Sequence, residues 1–381
     1  MTRERGESAV LEHAVSQPDE VVAADLEAAY WAAFANVRHI GPARIARLVS
    51  QFCTLSQAWG APGQALRIAL EPRALAELAA ARRTVEPERE AERLRERGIR
   101  ILHVEHPEYP RLLVEASGRP TVLYIRGHLT TQDNQSVGIV GTRRSTVYGK
   151  GVTERIARDL ATAGVTVVSG LARGIDAVAH HVTLETGGRT VAVLGSGVDV
   201  IYPAEHRRLV DRILDNGAVI SEQPPGAKPA APNFPARNRI ISGMSLGVVV
   251  VEAPARSGAL ITANFAADQG REVFVVPGNV GNANSEGTNQ LLRDGARIVR
   301  DGADILADLN LDGNQPAQLS LLMPSTPEEA LVLRCLGVEP LHIDEIAEAA
   351  GVPGREVAEA LLMMELKGMA RNCGAQYYVR K

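Results

Sequence analysis

The sequence has few cysteines and no long apolar run. Three cysteines (Cys53, Cys335 and Cys373) are scattered over 381 residues, which argues against a disulfide framework or a zinc motif and for a reducing compartment. No run reaches the roughly 18 apolar residues of a membrane span, and the polar N-terminus lacks the apolar core of a signal peptide. We therefore expect a cytoplasmic protein with no membrane span.

Aromatic residues are also scarce, and the chain has no strong net charge of either sign. Aromatics make up 4% of the chain, which excludes a long stacking platform for nucleic-acid bases. The net charge is −4, from 41 basic and 45 acidic residues, but residues 137–300 hold 18 basic and 14 acidic ones, net +4. This excess is a mild indication of an anionic partner, and an ordinary solvated surface explains it equally well.

The N-terminal part is expected to be helical. Residues 1–22 are polar without clear periodicity and are interpreted as a flexible tail. Residues 23–85 are alanine-rich with helical spacing, and NVRHIGPARIARLVSQF (36–52) resembles a helix-hairpin-helix. In that motif the glycine turn offers backbone N–H groups to a DNA phosphate. A plain helical turn is the alternative.

The central part is expected to be an extended Rossmann-like domain over residues 86–310. Two lead-in strands (99–104 and 121–127) precede apolar strands that alternate with loops and helical stretches. Continuous Val/Ile runs are typical of strands buried on both faces. The sequence therefore predicts an α/β fold with a doubly wound, mostly parallel sheet, whose strands are 137–140, 165–169, 190–195, 218–221, 246–253 and 272–277.

The C-terminal part is expected to be a winged helix. Residues 311–326 are interpreted as a linker, and 327–381 contain three helical stretches followed by a short apolar YYV. Most small winged helices bind DNA, but the third helical stretch (354–367) carries Glu356, Glu359 and Glu365. That acidity favours protein contact over reading a DNA groove.

Unusual composition is concentrated in the loops that follow the predicted strands. Glycine, serine or threonine, and arginine recur in GTRRSTVYGKG (141–151) and SGLARGID (169–176). Glycine permits close approach, helix N-termini favour anions, and arginine matches phosphate geometry. These loops meet at the carboxyl edge of the sheet, which predicts a site for more than one phosphate. Neither the G-x-G-x-x-G spacing of a dinucleotide site nor a P-loop is present.

Little in the sequence supports catalysis, and no cofactor or metal site is predicted. His180 and His181 are adjacent on a helix, so one is expected in the core and the other on the surface. Asp176 and Asp199 stand near helix starts, where capping is usual. Two glutamates at strand ends are expected to form ion pairs with nearby arginines, with an acid/base role as the alternative: Glu222 and Glu252.

Several motifs in order resemble one family. GTRRSTVYG, SGLARGIDAVAHH, VLGSGVDVIYPAEHRRL, NFPARNRIISGMS and VVVVEAPARSGALITANFAADQGREVFVVPGNV are similar to the DNA processing protein A family (DprA, also called Smf), over roughly residues 100–308. The resemblance implies a non-enzymatic, homodimeric protein that binds single-stranded DNA during natural transformation, protects it and loads the recombinase RecA on it.

The resemblance also implies site residues. Lysine is frequent in the family where this chain has Arg173, which keeps the charge but changes the contact geometry. For Arg237 and Arg239, bracing of the loop is the alternative to phosphate contact. The candidate residues for single-stranded DNA or its phosphates are Gly141, Thr142, Arg143, Ser169, Gly170, Arg173, Gly174, Ser196, Phe234, Arg237, Asn238 and Arg239.

Two alternatives to this function stay open. Pro277-Gly278 and Gly287-Thr288 resemble the P-G-G-x-G-T of LOG-type nucleotide phosphoribohydrolases, but an insertion splits the motif here. The terminal modules are also compatible with an architectural role on double-stranded DNA.

Overall fold

Two compact units make up the protein. The computed structural model describes residues 18–311, 326–337, 341–366, 369–374 and 376–380. The boundary between the units lies between Leu309 and Asn310. Helix α1 (Pro18–Ala35) begins inside the segment predicted to be a tail. The rest of that predicted tail (1–17) and most of the predicted linker (312–325) lie outside the described residues.

A nine-stranded sheet organises the described part of the first unit. Its order is β1-β2-β6-β5-β4-β3-β7-β8-β9. The pairs β1–β2 and β2–β6 are antiparallel, and all the others are parallel. The strands are β1 (Ile99–His103), β2 (Val122–Gly127), β3 (Ser136–Val140), β4 (Thr166–Ser169), β5 (Thr190–Leu194), β6 (Ala218–Ser221), β7 (Gly247–Val250), β8 (Glu272–Val275) and β9 (Arg297–Ile298).

Helices cover both faces of this sheet, as the continuous apolar strands predict. Alternate residues of β5 enter opposite cores: Ala192 and Leu194 join one apolar cluster, and Val191 and Val193 join the other. The helices of the first unit after α1 are α2 (Pro42–Phe52), α3 (Leu55–Gly60), α4 (Gly63–Leu66), α5 (Pro72–Ala81), α6 (Pro87–Glu96), α7 (Arg111–Glu115), α8 (Val147–Thr162), α9 (Ile175–Glu185), α10 (Arg207–Asp215), α11 (Asn233–Gly243), α12 (Gly258–Asp268), α13 (Glu286–Arg293) and α14 (Gly302–Asp308).

The N-terminal helices share a core with the sheet. Trp31 and Phe34 of α1 belong to the same apolar cluster as Ile101 and Val219 of the sheet. Helix α2 begins at Pro42, a residue that suits the first helical position because its missing N–H would have no helical partner there. Gly41 lies between α1 and α2, and the helix-hairpin-helix stays a prediction.

The order of the strands reverses at β3. The chain proceeds from β3 through β4 and β5 to β6 on one side, and then returns to place β7 on the other side of β3. The loops after β3 and β7 therefore diverge, and a crevice opens between them at the carboxyl edge, where doubly wound sheets bind ligands.

The second unit has the helix and strand order of a winged helix. Its elements are α15 (Pro327–Cys335), β10 (Leu341–His342), α16 (Ile343–Ala350), α17 (Gly354–Leu366), β11 (Ala370–Gly374) and β12 (Tyr377–Arg380). The strands form an antiparallel sheet in the order β10-β12-β11. The predicted α/β fold with a mostly parallel sheet and a C-terminal winged helix is confirmed.

Candidate nucleic-acid interface

A cleft of about 620 Å³ lies at the point where the strand order reverses. Its walls are the loop after β3, the first turns of α11 and the loop after β7 that leads into α12. Phe234, Arg237, Asn238 and Ile241 line it from α11, because residues three and four apart share one helix face. The cleft thus brings together predicted site residues from segments about 100 residues apart in the chain.

Arg143 is exposed at the mouth of this cleft. Its guanidinium carbon lies 5.6 Å from the centre of the Phe234 ring, within the range of a cation–π interaction. The Phe234 ring lies 5.7 Å from the ring of Tyr202. Contact with the aromatic ring leaves the N–H groups of Arg143 able to meet a phosphate.

Arg173 is also exposed and lies beside Arg143. The two arginines, Tyr202 and Phe234 line one small depression next to the cleft. Nε and Nη2 of Arg173 donate to Oε1 and Oε2 of Glu205 at 2.5 and 2.9 Å. These hydrogen bonds raise the pKa of Arg173 and hold the pKa of Glu205 below its ordinary value. Glu205 lies outside the set of site residues predicted from the sequence.

Arg237, in contrast, is buried and braces two strand ends. Its Nη1 donates to the carbonyl oxygen of Gly170, at 2.7 Å, and to that of Val193. Burial lowers the pKa of Arg237, although the charge of Asp176 opposes this effect. Burial also raises the pKa of Asp176, against the opposing charge of Arg237. The bracing alternative therefore describes Arg237 better than phosphate contact does.

The next two candidate residues on α11 also bond to other residues of this chain. Asn238 is buried, and its Nδ2 donates to the carbonyl oxygen of Gly258 at 3.1 Å, which ties α11 to the start of α12. Arg239 forms an ion pair with Glu222, as expected for that glutamate. Asn238 still lines the cleft, whereas Arg239 is absent from its lining.

The predicted hydroxyl groups lie mostly beneath the cleft. Ser169 and Ser196 are buried, and they donate to the carbonyl oxygens of Ile139 and Val200 at 2.6 and 2.7 Å. Thr142 lines the cleft, and its Oγ1 accepts a bond from the N–H of Arg144 at 3.2 Å. The serines therefore fix the loops and do not face the cavity.

At the glycines of these loops, other residues of the protein approach the backbone closely. A Cβ on Gly170 would lie 2.3 Å from Nη1 of Arg237, and one on Gly141 would lie 2.5 Å from Ile175. Gly174 has φ +80, and a Cβ there would lie 2.3 Å from the carbonyl oxygen of Thr142. These glycines were predicted to allow close approach of a ligand, whereas the structure places other residues against them.

The remaining titratable groups near the sheet edge have structural partners. Glu252 is buried and accepts from the N–H and hydroxyl groups of Thr146, so the expected ion pair with arginine is wrong for this residue.

His180 is buried and His181 is exposed, as predicted. Asp176 accepts from the N–H of Ala172 at 3.3 Å, in the loop before α9, whereas the N-cap of α9 is Gly174 and has no side-chain cap. The expected capping role is therefore wrong for Asp176, which fixes the preceding loop instead. Within the described ranges, no cluster of His, Cys, Asp and Glu could hold a metal ion.

Arginines outside the predicted set also line the cleft. Arg144 follows Arg143 in the loop after β3, and Arg256 precedes the start of α12. Ser257 caps α12, accepting from the N–H of Ala259 at 3.2 Å. The available signal was APARSG (253–258), in which arginine stands just before a serine cap and a helix N-terminus, a pattern that favours anions.

The fold and the cleft define a class: Rossmann-like proteins with a cationic cleft at the strand switch point, followed by a winged-helix unit. Comparison with known families agrees. The family model for DNA recombination-mediator protein A matches residues 100–310, and the DprA winged helix domain matches 315–375. The chain belongs to the DprA family, whose members are DNA-processing proteins.

Relatives from several bacteria support this assignment. Protein Smf from Synechocystis is 36% identical and covers 94% of this chain and all of its own length. Protein Smf from Escherichia coli is 42% identical over 68% of this chain and 72% of its own.

Helices long and apolar enough to cross a membrane are absent from the part of the chain that the structure describes.

Solved structures show the same relationship. The crystal structure of DprA from Streptococcus pneumoniae matches with a TM-score of 0.64 and 31% identity, over 74% of this chain and 97% of that one. DNA processing protein A from Helicobacter pylori, described for its single-stranded DNA binding mode, matches with a TM-score of 0.51 and 30% identity, over 56% of this chain and 96% of that one.

Proposed function

We propose that this protein binds single-stranded DNA without sequence preference in the cleft at the carboxyl edge of the sheet. The observation that carries the proposal is the pair of exposed guanidinium groups, Arg143 and Arg173, which line one depression together with the Phe234 ring. Guanidinium groups neutralise phosphates, and a half-exposed aromatic ring at the same depression suits an unpaired base. The single-strand binding mode described for the Helicobacter pylori relative supports the same conclusion.

The proposed role is non-enzymatic. Among the described residues that line the cleft, the one carboxylate is Asp176, and it is buried and bonded to a backbone N–H. The segments that resemble phosphoribohydrolases pack against the protein: a Cβ on Gly287 would lie 2.7 Å from the carbonyl oxygen of Ala253. Release of free base from nucleoside monophosphates would favour the enzymatic alternative.

Family membership supports a proposal for the wider role. We infer that a cytoplasmic homodimer protects incoming DNA and loads RecA on it during natural transformation, and that two clefts holding one strand raise its effective affinity. The winged helix is assigned to protein contact, since α17 exposes Leu362 and Met363 among acidic residues. The rate of RecA filament formation on single-stranded DNA, with and without this protein, tests the loading role.

The binding site is tested by two substitutions. Arg143→Ala and Arg173→Ala are each expected to weaken binding of a fluorescent oligothymidylate by about fivefold or more at low salt, because each removes one charge-assisted phosphate contact. Fluorescence anisotropy at two salt concentrations, with single- and double-stranded competitors, measures the effect. Arg300→Ala is the matched control, since Arg300 is likewise exposed and paired with a carboxylate, Asp304, outside the cleft. Wild-type affinity in the double variant Arg143→Ala/Arg173→Ala would contradict the proposal.

A further inference from the structure

Glu205 is held opposite Arg173 by contacts that do not involve its own carboxylate. It lies in a short 3-10 turn, Ala204–His206. Nδ1 of the next residue, His206, lies 2.9 Å from the carbonyl oxygen of Leu171, in the same loop as Arg173. Leu171 is fully buried, so this loop is anchored as well. Two fixed backbone segments therefore present the carboxylate and the guanidinium to each other.

The pair has the geometry that a phosphate would adopt on the same arginine. Two nitrogens of Arg173 donate to two oxygens of Glu205. The side chains remain 59% and 53% exposed. Carboxylate and phosphate both present two oxygens to the planar fork of arginine. Exposed ion pairs of this kind contribute little to stability, so a phosphate can replace the carboxylate at small cost.

Arg143 lines the same depression, and the described part of the chain offers it no such competitor. Within the described residues, no carboxylate lies within 4.0 Å of its guanidinium, which rests on Phe234 instead. One arginine of the proposed site is thus available to DNA at once, and the other must first exchange a partner.

We propose that Glu205 competes with the phosphates of single-stranded DNA for Arg173 and so limits affinity at the site. The inference rests on the proposed function. Two anions exchange at Arg173. When a phosphate of the DNA binds this guanidinium, the carboxylate of Glu205 is released and acquires a cation from solution. The cation that Glu205 acquires offsets the cation that the DNA phosphate releases, so Arg173 adds little to the salt dependence of binding.

Glu205→Gln tests the exchange, because glutamine preserves size and removes the charge. We expect the dissociation constant for a fluorescent oligothymidylate to fall by about fivefold at low salt. The slope of log affinity against log salt is expected to steepen by up to about 0.7, the value of one additional phosphate contact on a single strand. The melting temperature is expected to stay within about 2 °C, since the pair is exposed.

Two controls separate exchange from a general change of charge. Glu108→Gln removes the same charge from another exposed arginine partner, since Nη2 of Arg100 donates to both Glu108 oxygens at 2.9 Å and neither residue lines the cleft. This variant is expected to bind as the wild type does. In an Arg173→Ala background, Glu205→Gln is expected to give no gain.

Three results would overturn the inference. Unchanged affinity of Glu205→Gln, with normal binding by the wild type, would refute the role of Glu205 and leave the proposed function standing. A gain that persists in the Arg173→Ala background would assign the effect to general charge. Absence of oligothymidylate binding by the wild type would remove the proposed function and this inference together.

Discussion

The arginines around the cleft differ in how much of each guanidinium is committed to the protein. Arg237 is buried and bonded to two carbonyl oxygens, whereas Arg143 is exposed and its guanidinium lies over the face of the Phe234 ring. Arg173 is intermediate, because it is exposed but paired with Glu205. Burial and hydrogen-bond partners thus separate a structural arginine from two arginines that can bind phosphate.

This division predicts opposite consequences for two alanine substitutions. Arg237→Ala is expected to lower the free energy of unfolding by about 3 kcal/mol, because it leaves two carbonyl groups and the buried Asp176 without their partner. Arg143→Ala is expected to change it by no more than about 0.5 kcal/mol. Urea unfolding followed by circular dichroism measures both. Unchanged stability of Arg237→Ala, together with weaker DNA binding, would return Arg237 to the phosphate-binding residues.

At the scale of elements, the cleft is shaped by two loops that pack on each other. The loop after β4 approaches the loop after β3 at Gly174, where a side chain would collide with the backbone of Thr142 and Arg143. The same approach positions Arg143 and Arg173 at one depression. The spacing between the loops is therefore as important for the site as the charges that they carry.

Gly174→Ala tests this packing against a matched glycine. Gly187 has φ +78 but no atom within 4 Å of an added Cβ, so Gly187→Ala carries only the backbone penalty, about 1 kcal/mol. Gly174→Ala, with φ +80 and ψ −127, adds a backbone conformation that glycine alone adopts readily and a collision with backbone, and is expected to cost about 2 kcal/mol more. Only Gly174→Ala is expected to weaken DNA binding. Equal stabilities of the two variants would show that the loops are not tightly packed.

The sequence predicted the elements better than it predicted the contacts between them. Continuous runs such as VTVVS and TVAVLG indicate buried strands because burial on both faces is a local property of the residues. The partners of Arg237 are 67 and 44 residues away in the chain, at Gly170 and Val193. No local pattern encodes such distances, which is why a bracing arginine was grouped with the phosphate-binding ones and Glu205 was missed.

At the scale of the whole molecule, the sheet unit and the winged helix differ in the charge and polarity of their surfaces, which suits them to different partners. The excess of basic residues falls within 137–300, the part that forms the cleft, although the chain as a whole is acidic. The second unit exposes an acidic and apolar face on α17. This distribution supports DNA binding by the sheet unit and protein contact by the winged helix.

Amide hydrogen exchange of the full chain, with and without a saturating oligothymidylate, shows where on the protein single-stranded DNA binds. We predict slower exchange in three segments at the carboxyl edge of the sheet, 141–146, 170–174 and 254–258, with little change in 36–52 or 341–366. Protection confined to the N-terminal hairpin or the winged helix, with those three segments unchanged, would contradict it.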